Sequence, residues 1–167
     1  MVAKVFAALG AFLLCSFVTA EAQLAKRGTY SSQYGWHTTP AKVHELERDH
    51  AVIIFHSDGI HLNDAGQGFL HASAVNCTGF NDRVKGIANS HGVCTVTDRE
   101  GDKAFLKFKC QTTQTAQLGP RCAGDFQWTG GTGKYVGLSG ENTFHSGGVP
   151  NSTVGHAVWK GEWRLPD

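Results

Sequence analysis

The sequence predicts an all-β fold, a single antiparallel β-barrel of about eight strands. Three observations carry that expectation. Beyond residue 50 the apolar residues alternate with polar ones or come in compact β-branched and aromatic runs, and no segment keeps a helical period for long. Glycine is abundant, at 21 residues, while charged residues make up only 17%, a balance suited to short strands and tight turns rather than long solvated helices. The strands also succeed one another like a meander, and such a chain tends to close on itself because closure removes its exposed edges. A sandwich is the alternative architecture, and the barrel is preferred to it.

Residues 1–22 have the three parts of a cleavable export signal. Lys4 supplies the positive start, Val5 to Val18 form an apolar run broken only by Gly10 and Ser16, and Ala20-Glu21-Ala22 presents small residues at the positions a signal peptidase reads. Cleavage before Gln23 follows. The run falls short of the ~20 residues a spanning helix needs, and no second apolar stretch comes after it, so no membrane span is expected after cleavage. Cys15 follows Leu13-Leu14 rather than a small residue, which speaks against lipid attachment. Removing 22 residues from 167 leaves 145, the length of one domain with one core. Within it, residues 23–49 are expected to form a polar arm, with helical chemistry over Ala41 to Asp49, and residues 50–167 the barrel. The expected location is secreted or periplasmic.

Ala51-Val52-Ile53-Ile54-Phe55 opens the strand region, with Ser57-Asp58-Gly59 reading as a turn behind it. Gly68 to Phe80, Arg83 to Ala88 and Gly92 to Thr97 read as further strands, separated by Asn81-Asp82 and Asn89-Ser90. Arg99-Glu100-Gly101-Asp102 has the composition of a hairpin turn leading into Lys103–Cys110. The last strand is the clearest. Ala157, Trp159, Gly161, Trp163 and Leu165 share one face, while His156, Lys160, Glu162 and Arg164 share the other.

Five cysteines become four once Cys15 leaves with the signal, and an even number in an exported domain argues for two bridges among Cys77, Cys94, Cys110 and Cys122. Three connectivities are open. Cys110 shares a face with Ala104, Leu106 and Phe108, and Cys122 shares one with Phe126 and Trp128, so both sulfurs point to an apolar side as a cross-strand bridge requires. Cys110–Cys122 with Cys77–Cys94 is therefore the preferred pairing. A metal-binding cysteine set lacks any C-x-x-C pair.

The most distinctive segment runs from Phe126 through Gly130-Gly131-Thr132-Gly133-Lys134-Tyr135 to Gly137 and Gly140. It is not a phosphate loop, since Lys134 is followed by Tyr135 rather than Ser or Thr, and its glycines are not spaced as in the dinucleotide fingerprint. Gly130, Gly131, Gly133, Gly137 and Gly140 read instead as turn glycines. The stretch Phe126 to Phe144 resembles the F-x-x-x-G-G-T-G-x-[YF]-x-x-x-x-G segment of the allene oxide cyclase and dirigent barrel superfamily, which has small exported bacterial members of uncharacterised function. The resemblance implies an eight-stranded antiparallel barrel with a central cavity, often in a dimer or trimer. Plant members act on oxidised fatty acids or steer phenoxy-radical coupling, but their catalytic residues find no counterpart in this chain, so no catalytic residue is assigned.

A net charge of +1 and scattered Lys and Arg residues give no sign of a nucleic-acid partner. Nine histidines raise a metal reading, in which His61 and His71 face one another with Asp58 or Asp64 as an oxygen ligand, but the spacing matches no zinc signature; neither a metal nor another cofactor is expected. Ser57 between His56 and Asp58 is no triad, because adjacent residues on a strand point to opposite faces. The expectation that remains is a barrel binding a small apolar or amphipathic ligand, lined by Ile54, Leu106, Phe108, Phe126, Trp128, Trp159 and Trp163, against the alternative that these side chains simply fill the core. A cyclase- or isomerase-like enzyme using the same cavity, and a cell-envelope interaction protein without a ligand, are the other readings.

Overall fold

A computed structural model describes residues 24–115 and 119–167; residues 1–22, read as the export signal, lie outside them. The described chain forms eight strands, β1 (Arg27–Glu47), β2 (His50–Asn63), β3 (Ser73–Val84), β4 (Ile87–Thr97), β5 (Lys103–Thr115), β6 (Gly119–Gly131), β7 (Ser139–Gly148) and β8 (Val154–Arg164), with one 3-10 turn at Gly133–Tyr135. Each strand pairs antiparallel with the next, and β8 returns to pair with β1, closing the barrel. The fold is thus all-β, a single closed antiparallel barrel, and two disulfides staple it. Cys77–Cys94 joins β3 to β4, and Cys110–Cys122 joins β5 to β6.

The period-2 pattern sets inside and outside along each strand. On β5, Ala104, Leu106, Phe108 and Cys110 turn inward while Lys103, Lys107 and Lys109 face solvent. Ala157, Trp159 and Trp163 do the same on β8, as their alternation predicts. Over β5–β8 the outer wall carries Lys107, Lys109, Asp125, Gln127, Glu141 and Lys160, all exposed. Over β2–β4 the outer wall instead exposes Ile54, Ile60, Leu62, Phe80, Ile87 and Val93, so the outside is charged on one side and carries apolar side chains on the other.

The structure departs from the sequence reading at several places, one of them being the strand expected over Gly68 to Phe80, which begins only at Ser73. Residues 27–47, expected as an arm with a short helix, form the first barrel strand. Tyr30, Ser32 and Tyr34 turn inward and buried, with Trp36 half-buried beyond them, and pairing with both β2 and β8 overrides the weak helical chemistry of the second half. Ser57-Asp58-Gly59 lies inside β2 rather than at a turn. Gly59 is there for clearance: a Cβ would collide with the Gly35 carbonyl of β1 and lie 2.8 Å from the Tyr34 ring. Finally, Asn81-Asp82 and Asn89-Ser90 pair with each other across β3 and β4. The hairpin instead turns at Lys85-Gly86, both with positive φ (51° and 83°), so Arg83 to Ala88 spans the turn instead of forming a strand of its own.

The two ends of the barrel differ. At one end the β2–β3 connection folds back into the bore and inserts Phe69 and Leu70. Phe69 stacks on Trp163 at 4.6 Å and meets Trp128 edge-on at 5.5 Å, with Tyr30 and Tyr135 around them. Asn63 holds the loop by donating to the Phe69 carbonyl (3.2 Å) and accepting from the Ala65 N–H (3.0 Å). Phe69→Ala removes the centre of this plug, and the expected loss in denaturant unfolding is about 3–5 kcal/mol. A loss under about 1 kcal/mol would mean that the loop covers the barrel end without filling it.

Candidate ligand cavity

The opposite half of the bore is open and holds a cavity of about 420 Å³. Its floor is aromatic. Trp159 lies 5.2 Å from Tyr34 and 5.0 Å from Phe126, both tilted, and Phe126 continues to Phe144 at 6.3 Å. Phe55 and Phe108 line the wall with Leu106 and both disulfides. The inward side chains between them are small: Ser57, Ala88, Ser90, Ser146 and Ala157 stand where the plugged end has Tyr30, Phe69, Trp128 and Trp163. Those small residues are what leaves the bore open.

The polar groups of the wall mostly satisfy one another. Ser90 and Thr112 hydroxyls lie 2.7 Å apart across β4 and β5, and the Trp36 indole N–H donates to Ser146 Oγ at 3.1 Å. The Tyr34 hydroxyl sits at the floor, 3.4 Å from Ser57 Oγ and 3.9 Å from Cys77 Sγ. Burial pushes its pKa up, so it stays protonated at neutral pH and available as a donor. Rim residues include Thr38, Asn81, Arg83 and Thr153.

Of the seven lining residues read from the sequence, Leu106, Phe108, Phe126 and Trp159 face the cavity. Trp128 and Trp163 do not; they are buried in the plugged end against Phe69. Ile54 is a correction: it points outward and is 39% exposed, while its neighbours Ile53 and Phe55 line the cavity. A five-residue apolar run has no period, and a one-residue error in register exchanges the two faces. Tyr34, Trp36 and Phe144 were missed. The first two were legible in the alternation Tyr30, Ser32, Tyr34, Trp36, had residues 27–47 been read as a strand.

Of the two histidines expected to face one another, His61 is fully buried beneath Trp159 and His71 is half-buried on the β2–β3 connection, while Asp58 faces outward to Asn76 (2.7 Å). His56 also faces outward, to Thr78 Oγ1 (2.9 Å). His61 Nδ1 lies 2.8 Å from the Leu70 carbonyl, which can only accept, so Nδ1 carries the hydrogen and Nε2 accepts from the Ser32 hydroxyl at 2.8 Å. The ring thus ties the plug at Leu70 to Ser32 of β1. Burial lowers the His61 pKa to about 4.

The glycine-rich loop closes the plugged end and does not approach the cavity. Its Lys134 ammonium contacts Asp98 (2.6 Å) and Glu100 (2.7 Å) of the β4–β5 turn, and its backbone N–H donates to Asp102 at 3.1 Å. Gly130, Gly133, Gly137 and Gly140 have positive φ, and a Cβ on Gly131 would collide with the Lys103 carbonyl. All five glycines thus serve the turn.

Comparison with known proteins adds no kinship: no family model matches the chain, and no curated protein or solved structure matches it significantly.

Proposed function

We propose that this chain is an exported binding protein that holds a small apolar or amphipathic molecule in the open half of its barrel. The observation that carries the reading is the contrast between the ends. One half of the bore is filled by large aromatic side chains, while the other keeps about 420 Å³ free behind small residues and an aromatic floor. Small-molecule sites have this size and this apolar lining with few polar groups. Two disulfides suit an oxidising compartment and support the export reading from residues 1–22. The strand number and the glycine turn loop support a place among the allene oxide cyclase and dirigent type of barrels.

The described lining residues include no carboxylate and no histidine, and the pKa of Tyr34 is raised. A binding role therefore accounts for the wall better than a cyclase or isomerase does, because proton transfer needs a group poised near the operating pH. The test is fluorescence titration with N-phenyl-1-naphthylamine, a neutral probe that brightens in apolar surroundings. Saturable one-to-one binding is expected, weakened at least about tenfold by Ala88→Trp, which puts an indole into the cavity. Equal binding by this variant, with its near-ultraviolet circular dichroism intact, would place the probe elsewhere and remove the support for the reading.

A further inference from the structure

Resting on the binding role just proposed, we infer that the ligand is an amphiphile with an apolar, ring-bearing body and a single anionic group, carboxylate, sulfonate or phosphate, held at the mouth by Arg83. Arg83 is the one charged side chain among the described residues that line the cavity. It stands at the inward face of β3 one pair before the Lys85-Gly86 hairpin, at the rim, beside the buried Ala88. Its guanidinium cannot lose its proton, so the positive charge is permanent. Among the described residues its one carboxylate partner is the exposed Glu45, with Nη2 and Oε1 3.9 Å apart. That separation is beyond hydrogen-bond range, and the forked donor face of the guanidinium is left for a second anion.

The rest of the cavity fixes the orientation. Trp159, Phe126 and Phe144 present ring faces and edges at the floor, where a charge would be stripped of water without a counter-charge. Hydroxyls of Thr38, Thr112 and Thr153 ring the mouth and can solvate a polar head. At depth the Tyr34 and Ser57 hydroxyls engage one another only weakly, at 3.4 Å. The apolar body therefore enters first, and the anion stays at Arg83.

Two probes that share one scaffold test this on the purified chain: N-phenyl-1-naphthylamine, and its sulfonated counterpart 1-anilinonaphthalene-8-sulfonate. Arg83→Leu is expected to weaken the sulfonate probe about tenfold to a hundredfold, the range of one charge-assisted hydrogen bond, and to change the neutral probe far less. Raising the salt concentration should weaken only the sulfonate probe on the unaltered chain, a readout that needs no variant. If Arg83→Leu and salt change both probes alike, the anion assignment is overturned while the cavity reading stands. If neither probe binds the unaltered chain, both readings fall together.

Discussion

Reducing both disulfides is expected to lower the unfolding free energy by about 6 kcal/mol, roughly 3 kcal/mol for each. The bridges close chain segments 17 and 12 residues apart, and the two segments do not overlap. Their effects on the unfolded chain should therefore nearly add. Domains of this size are stable by only ~5–15 kcal/mol, so the loss is a large fraction of the whole. The bridges also sit in the cavity wall, where Cys77 meets the Tyr34 hydroxyl and Cys110 and Cys122 border the rim strands. Guanidinium unfolding with and without reductant measures the loss, and the paired substitutions Cys77→Ala with Cys94→Ala, and Cys110→Ala with Cys122→Ala, divide it. A combined loss under about 1 kcal/mol would show that strand pairing alone carries the barrel.

Lowering the pH from 7 to 4 is expected to remove a further ~3 kcal/mol through His61 alone. The folded pKa of about 4 lies below the usual 6.5 because burial disfavours the charged ring. Below pH 6.5 the unfolded chain takes up a proton that the folded chain refuses, so stability falls until the folded pKa is reached. Above pH 6.5 the contribution is complete. His50 works with the opposite sign and above that range: its hydrogen bond to Asp82 raises its pKa, so its stabilisation is complete below pH 6.5 and is lost as the pH rises through the raised value. Asp98 enters only lower. Burial opposes its charge, but Lys134 more than offsets this and holds its pKa below the usual value, and its stabilisation is lost as the pH falls through that lowered pKa. His61→Gln keeps hydrogen-bonding capacity without titrating, and melting curves between pH 4 and 7 should be much flatter for it than for the unaltered chain. Parallel slopes would mean that the acid sensitivity arises elsewhere.

The parts of the fold legible in the sequence were those decided by local alternation. β8 shows its two faces residue by residue, and the shared faces of Cys110 with Leu106 and of Cys122 with Phe126 pointed to the bridge that forms. β1 was hidden because its inward positions mix Tyr30 and Tyr34 with Ser32, and because its second half carries helix-forming residues whose strand geometry comes from pairing with β2. Register was illegible in the unbroken run around Ile54, where only pairing with β1 and β3 decides the face. The division of the bore was hidden for a similar reason. Trp159 and Trp163 share one face of one strand, yet one floors the cavity and the other packs on Phe69. Which of them meets the plug depends on strand stagger and on a loop folding inward, both set by contacts distant in sequence. Arg83 escaped notice because a lone arginine beside a turn looks like any solvated charge.

Whether the open half of the barrel receives an apolar ligand is read from nuclear Overhauser contacts between bound N-phenyl-1-naphthylamine and the protein's methyl groups. Contacts are expected to the methyls of Ala88, Leu106 and Ala157, which face the cavity from β4, β5 and β8. Contacts confined to outward methyls such as those of Ile54, Ile60 and Val93, with none to these three, would contradict binding in the bore.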